Sequence, residues 1–356
     1  MFVFDIHLDL AMNAMEWNRD LRLPVAETDR MESGMNDLPG RGLSTVSLPE
    51  LRKGRVGLVV ATQLARCQTP GSPFKGWQSP EQAWSHTQGQ LAWYRSMEEL
   101  GEMVQIVDLQ GLESHLGRWK ESVASAHLPI GYILSLEGAD SLVTLSHLEK
   151  AYAYGLRAVG PAHYGPGRYA NGTASSGPMG RAGLELLREM DRLGIILDAT
   201  HLCDDAFWQA MDGFKGPVWA SHQNCRSIVG HDRQFSDDQL RVLIERDAVI
   251  GAAMDAWMIV PGWVKKVSTP RGMDCNLDRL IDHIDHVCQL AGNTRHVCIG
   301  SDLDGGYGRE QCPYDLETIA DLDKFNGAMI RRGYGLEDIE ALMSGNALRF
   351  LRRAWS

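Results

Sequence analysis

Short apolar runs recur along the chain, and stretches with helical periodicity lie between them. Eight runs read as strands: 2–9 (FVFDIHLD), 56–64 (VGLVVATQL), 130–137 (IGYILSLE), 156–163 (LRAVGPAH), 195–201 (IILDATH), 218–223 (VWASHQ), 248–254 (AVIGAAM) and 296–302 (HVCIGSD). Most are apolar almost throughout, as parallel strands covered on both faces should be. Among the helical stretches, 183–193 sets Leu184, Leu187 and Met190 on one face. Residues 278–291 gather Leu280, Ile281, Ile284, Val287 and Cys288, and 236–246 opens with a serine cap and an acidic first turn. Eight β-then-α units predict an α/β fold, a (β/α)8 TIM barrel, with a doubly wound open sheet as the alternative. No repeat, low-complexity segment or linker divides the chain, so residues 1–356 are expected to form one domain. Its long βα loops, 10–50, 164–182 and 303–316, fall on the side where barrel enzymes build their sites.

Composition narrows the function classes. With 44% apolar and 23% charged residues the chain is globular, and no apolar run approaches the ~18 residues of a membrane span. A net charge of −11 argues against a nucleic-acid partner. Seven cysteines without a CxxC pair suit a reducing compartment rather than a disulfide framework. The opening MFVFDIHLDL has no basic region ahead of an apolar core, so a cytoplasmic enzyme without a membrane partner is expected.

The candidate chemistry lies in where ionisable residues fall. His7, Asp9, Glu137, His163, His201, His222 and Asp302 all stand at or near the C-terminal ends of predicted strands. Strand alternation turns His7 and Asp9 to the same face. Carboxylates gathered inside a barrel mouth without a cation would be expensive, and this set of nitrogen and oxygen donors suits Zn²⁺ or a similar divalent ion. His283 and His286 are expected on a solvated helix face, and His86, His115, His127 and His147 in helical or connecting segments without partners. Trp17, Trp77 and Trp257 are candidates to line a pocket. GxSxG, HExxH and GxxxxGK[ST] are all absent, and no lysine ends a predicted strand to serve as a carbamylated bridge.

The segments DIHLD (5–9), SLEGAD (135–140), LRAVGPAH (156–163), LDATH (197–201), ASHQNCRSIVGHDRQFSDD (220–238), IGSDLDG (299–305) and RRGYGLEDIEALMSGNALRFL (331–351) occur in this order. On them the chain resembles the membrane (renal) dipeptidase family, peptidase family M19, among the amidohydrolase-like metal-dependent hydrolase barrels. The resemblance implies a binuclear zinc dipeptidase that cleaves small dipeptides, with a D-residue accepted at the C-terminal position, by a metal-bridging hydroxide. It implies two Zn²⁺ ions, one held by His7, Asp9 and Glu137 and the other by Glu137, His201 and His222, with Glu137 as the bridge. It further implies that His163 faces the substrate carbonyl, that Arg233 binds the substrate carboxylate and that Asp302 is the acid/base residue. A homodimer is implied by the same resemblance. Around the pocket the sequence departs from the family pattern, at Pro161–Gly165 and at Arg233-Gln234. A same-family amidohydrolase acting on a non-dipeptide amide or a biosynthetic intermediate is the alternative, and an inactive binding barrel the remaining one.

Overall fold

The computed structural model describes residues 1–122 and 125–356. Nine strands run in parallel: β1 (Val3–Leu8), β2 (Val56–Leu64), β3 (Met103–Gln105), β4 (Ile130–Glu137), β5 (Leu156–Gly160), β6 (Ile196–Asp198), β7 (Val218–Trp219), β8 (Ile250–Ala252) and β9 (Val297–Ile299). Eight of them pair in the order β7-β6-β5-β4-β2-β1-β9-β8. The parallel bridge between Ala220 and Ile250 brings the two ends of that path together, so the sheet is a nearly closed barrel with flanking helices, as the eight apolar runs predict.

The ninth strand, β3, is absent from the sequence reading. Its three residues, MVQ, offer no apolar run, and it pairs with Ile130–Tyr132 at the start of β4, whose later residues pair with β5. The other strands match the predicted runs, but β5 to β9 stop two to four residues short of the expected ends. As a result His163, His201, His222 and Asp302 sit on the loops just beyond the strands.

An inner apolar cluster draws on every barrel strand or its immediate flank, including Phe4, Val60, Ile133, Ile196, Trp219 and Cys298. The helix Asn346–Ala354 packs Leu348, Phe350 and Leu351 against it. Ile6 joins this cluster while its neighbour His7 reaches the barrel mouth. That change of parity coincides with a register irregularity between Asp5 and Leu8 in β1, the local effect of a bulge.

The predicted helices appear as Gly180–Leu193, Asp237–Glu245 and Leu277–Ala291. The second is capped by Ser236 in a reciprocal box with Gln239. In the first, Leu186 is buried with Leu187 and Met190, and Leu184 is only half-buried. Loop 10–50 carries the short helices Leu10–Met15 and Val25–Met31 and runs into a third, Leu48–Lys53. Buried Arg19 forks onto both Glu32 oxygens at 2.9 and 3.0 Å. Asp304 accepts from the Thr45 and Val46 amides, tying this loop to 303–316. All seven cysteines are free. Among the described residues no helix is long and apolar enough to cross a membrane.

Candidate metal centre and active site

The strand ends deliver their side chains to one cavity of about 340 Å³, small-ligand size, at the C-terminal mouth of the barrel. Glu137, the last residue of β4, is the focus. Its Oε1 lies 3.2 Å from His201 Nε2, 3.3 Å from His222 Nε2 and 3.7 Å from His7 Nε2. His7 Nε2 also stands 4.0 Å from Asp9 and 3.7 Å from Asp302. Three overlapping donor sets result, namely His7–Asp9–Glu137, Glu137–His201–His222 and His7–His222–Asp302, in each of which the ligand atoms lie within 4.8 Å of one another.

The hydrogen-bonding chemistry of this set fits cations. His7 Nε2 is buried with no hydrogen-bond partner among the described residues, and the Nε2 atoms of His201 and His222 face each other at 3.1 Å. The outward nitrogens are accounted for. Ser221 Oγ lies 3.3 Å from His7 Nδ1 and 2.9 Å from His222 Nδ1, and Thr173 Oγ1 lies 3.1 Å from His201 Nδ1. A hydroxyl has two acceptor lone pairs, so Ser221 can take an Nδ1–H from both rings and leave both Nε2 lone pairs directed at the carboxylates. Thr62 Oγ1 holds Asp9 in turn.

Burial shapes the electrostatics. Desolvation pushes the Asp9 carboxyl up to about 6 and that of Glu137 well above its ordinary value, and neighbouring carboxylates push in the same direction. Desolvation and the positive field of Arg233 bring His7 down to about 3 and hold His201 well below the usual imidazole value. Neutral imidazoles beside carboxylates that resist ionisation are what a cation site looks like before the cation supplies the compensating charge. Two of the residues are held in the left-handed region, His201 at φ 69° and Asp302 at φ 57°, backbone cost of the kind found at functional sites.

Membrane dipeptidases, peptidase family M19, match this chain over residues 1–355. The chain belongs to that family, and its enzyme class is metallo-dipeptidase. An uncharacterised dipeptidase of Schizosaccharomyces pombe is 24% identical across 98% of this chain and 79% of its own length. The dipeptidase TcpJ of Claviceps purpurea is 28% identical over 62% of this chain and 51% of its own. Among solved structures, the M19 metallopeptidase dipeptidase AC superposes with a TM-score of 0.79 at 21% identity, covering 100% of this chain and 99% of that one. A metallopeptidase of Rhodobacter sphaeroides, solved with a phosphinate mimic of L-Ala-D-Ala, gives the same TM-score and coverage at 20% identity.

The remaining candidates of this M19 chain line the same cavity. His163, Arg233 and Asp302 face it together with Tyr164, Asp255 and Trp257. Arg233 is buried and spends one N–H on Gln223 Oε1 at 2.7 Å and another on the His222 carbonyl at 2.9 Å. Desolvation, reinforced by Asp9, Glu137 and Asp255, raises the Asp302 carboxyl well above its ordinary value. Of the three tryptophans considered, Trp17 and Trp257 line the cavity, whereas Trp77 packs near His86 outside it.

Several histidine expectations are corrected. His283 is buried, not solvated: its Nδ1 accepts from the Cys225 amide at 3.1 Å and its Nε2–H donates to the Ile259 carbonyl at 3.0 Å. A helix spanning 15 residues buries more than one stripe here, because the segment around Cys225 packs over it. His286 is half-buried against Asp237. His115, His86 and His147 do have partners, in the Gly57 carbonyl, Glu16 and Thr144.

Sequence reasoning missed the residues that hold the strand ends. Asp5 accepts from the Ser301 and His7 amides, joining β1 to the segment after β9. Asp198 accepts from the Thr200 and Ser221 amides, joining the ends of β6 and β7. Arg66 carries no comparable signal in the sequence, because β2 ends without a histidine or carboxylate.

Proposed function

We propose that this protein is a binuclear zinc dipeptidase hydrolysing the peptide bond of small dipeptides, with a D-residue accepted at the C-terminal position. The convergence of three imidazole nitrogens on Glu137 Oε1 carries the reading. His7, Asp9 and Glu137 would hold one ion, and Glu137, His201 and His222 the other. When bound, the ions would lower the pKa of the attacking water and polarise the scissile carbonyl.

The chain's own residues do the rest. Asp302, 3.7 Å from His7 Nε2, takes the proton of the attacking water and passes it to the leaving amine nitrogen. His163 donates a hydrogen bond to the oxygen that gains charge at the tetrahedral carbon. Arg233 has N–H groups to spare beyond its two protein contacts, and they receive the substrate's free carboxylate. A homodimer is proposed on the family resemblance.

The test is hydrolysis of L,L and L,D dipeptides beside their C-terminal amides. Cleavage of the free acids with poor cleavage of the amides supports the reading. Arg233→Ala should then raise KM for the free acids about 10–100-fold, the scale of one or two lost charge-assisted hydrogen bonds. An unchanged KM removes Arg233 from recognition and favours a substrate without a carboxylate.

A further inference from the structure

Arg66 lies two residues beyond the end of β2, outside the proposed metal and substrate roles. Its backbone is fixed, since its carbonyl accepts from the Trp77 amide at 2.8 Å. Its guanidinium carbon stands 5.1 Å from the centre of the Phe74 ring. Its Nη1 is 2.9 Å from His163 Nδ1. An arginine has donors only, so across this contact Nδ1 must be the acceptor and carry no proton. The neutral imidazole then has its N–H on Nε2. His163 lines the cavity with its ring centroid 4.5 Å from that of His201 and 4.9 Å from that of Tyr164.

We propose that Arg66 is a positioning residue that fixes His163 in the Nε2–H tautomer, so that His163 meets the reacting carbonyl oxygen as a hydrogen-bond donor. An oxyanion needs a donor already in place, and an imidazole free to exchange tautomers or rotate would offer it a bare nitrogen part of the time. The role of Arg66 is analogous to that of the groups behind a catalytic histidine elsewhere, except that a donor rather than a carboxylate sets the tautomer.

The test combines the Zn²⁺-loaded protein labelled with ¹⁵N-histidine and steady-state kinetics on dipeptides. The His163 resonances are assigned with His163→Gln. In the wild type, His163 should show one bare nitrogen at Nδ1 and one protonated nitrogen at Nε2. In Arg66→Ala the two resonances should move towards each other as the tautomers mix. In the same variant kcat should fall about 10–100-fold with KM within about threefold and zinc content unchanged, the usual scale for losing such a supporting group. Arg66→Lys, which restores a donor, should recover most of kcat. An unchanged ¹⁵N pair in Arg66→Ala overturns the proposal, as does a rise in KM at constant kcat, which would make Arg66 a substrate-binding group. The kinetic part rests on the dipeptidase reading and the ¹⁵N part does not, so an inactive enzyme with the expected tautomer change would separate the two.

Discussion

At the residue scale, Asp302 combines two properties that are seldom found together. It is held at a left-handed φ of 57°, and desolvation at the mouth, reinforced by neighbouring carboxylates, keeps its half-buried carboxyl from ionising readily. Asparagine tolerates that backbone region and matches the side chain in size, so Asp302→Asn isolates the acid/base role from the fold. It should keep its metal and lose about 10²–10⁴-fold in kcat, as measured by steady-state kinetics beside metal analysis. An effect confined to KM would place Asp302 in binding instead. The residues proposed to do chemistry were legible in the sequence because histidine and carboxylate at strand ends are conspicuous among apolar runs. Ser221, Asp198 and Asp5 were not, since a serine or aspartate near a turn has many ordinary reasons to be there. Only their contacts to His7, His222 and the strand-end amides reveal the work they do. Arg66 escaped for a related reason, because its partner is 97 positions away in sequence.

At the scale of elements, the barrel closes through close packing that a side chain would obstruct. A Cβ added to Gly300 would meet the Ser221 carbonyl oxygen at 1.7 Å, and one added to Gly251 would meet it at 2.0 Å. Both glycines therefore allow the segment after β7 to sit where Ser221 reaches two histidines at once. Gly300→Ala should cost about 1–3 kcal/mol by overpacking, read from urea unfolding. It should also weaken metal retention, because any shift of Ser221 moves the Nδ1 partners of His7 and His222. Normal stability together with normal metal content would contradict this account of the closure. Apolar patterning foretold eight barrel strands but set several ends too late. Small or apolar residues just after these strands, such as Pro161-Ala162, Ala199 and Ala253-Met254, continue the apolar run in sequence while the backbone has already left the ladder. The three-residue β3 carried no pattern to read.

At the scale of the whole molecule, the mouth concentrates carboxylates that are largely withdrawn from solvent. In the metal-free chain the Asp9 carboxyl titrates at about 6, above its ordinary 3.8. Between those values the folded state binds more protons than the unfolded state, so this group's contribution to stability falls as pH rises through the window. A cation takes the place of the proton, and its stabilisation must therefore grow over the same range. The rise in Tm on adding Zn²⁺ should be small near pH 5 and larger near pH 7, as followed by thermal unfolding at matched ionic strength. A metal-induced shift that is equal at both pH values would mean that the buried carboxylates are not the ligands.

In the proposed mechanism Glu137 joins two metal positions into one catalytic site. Elemental analysis of metal stoichiometry on Glu137→Gln, beside the wild type and with dipeptide hydrolysis followed on the same samples, tests that role. The amide removes the shared negative charge with little change in shape. The wild type should retain two zinc equivalents per chain. The variant should retain fewer than two and lose at least about 100-fold in activity. A variant that keeps both ions and its turnover would contradict the claim.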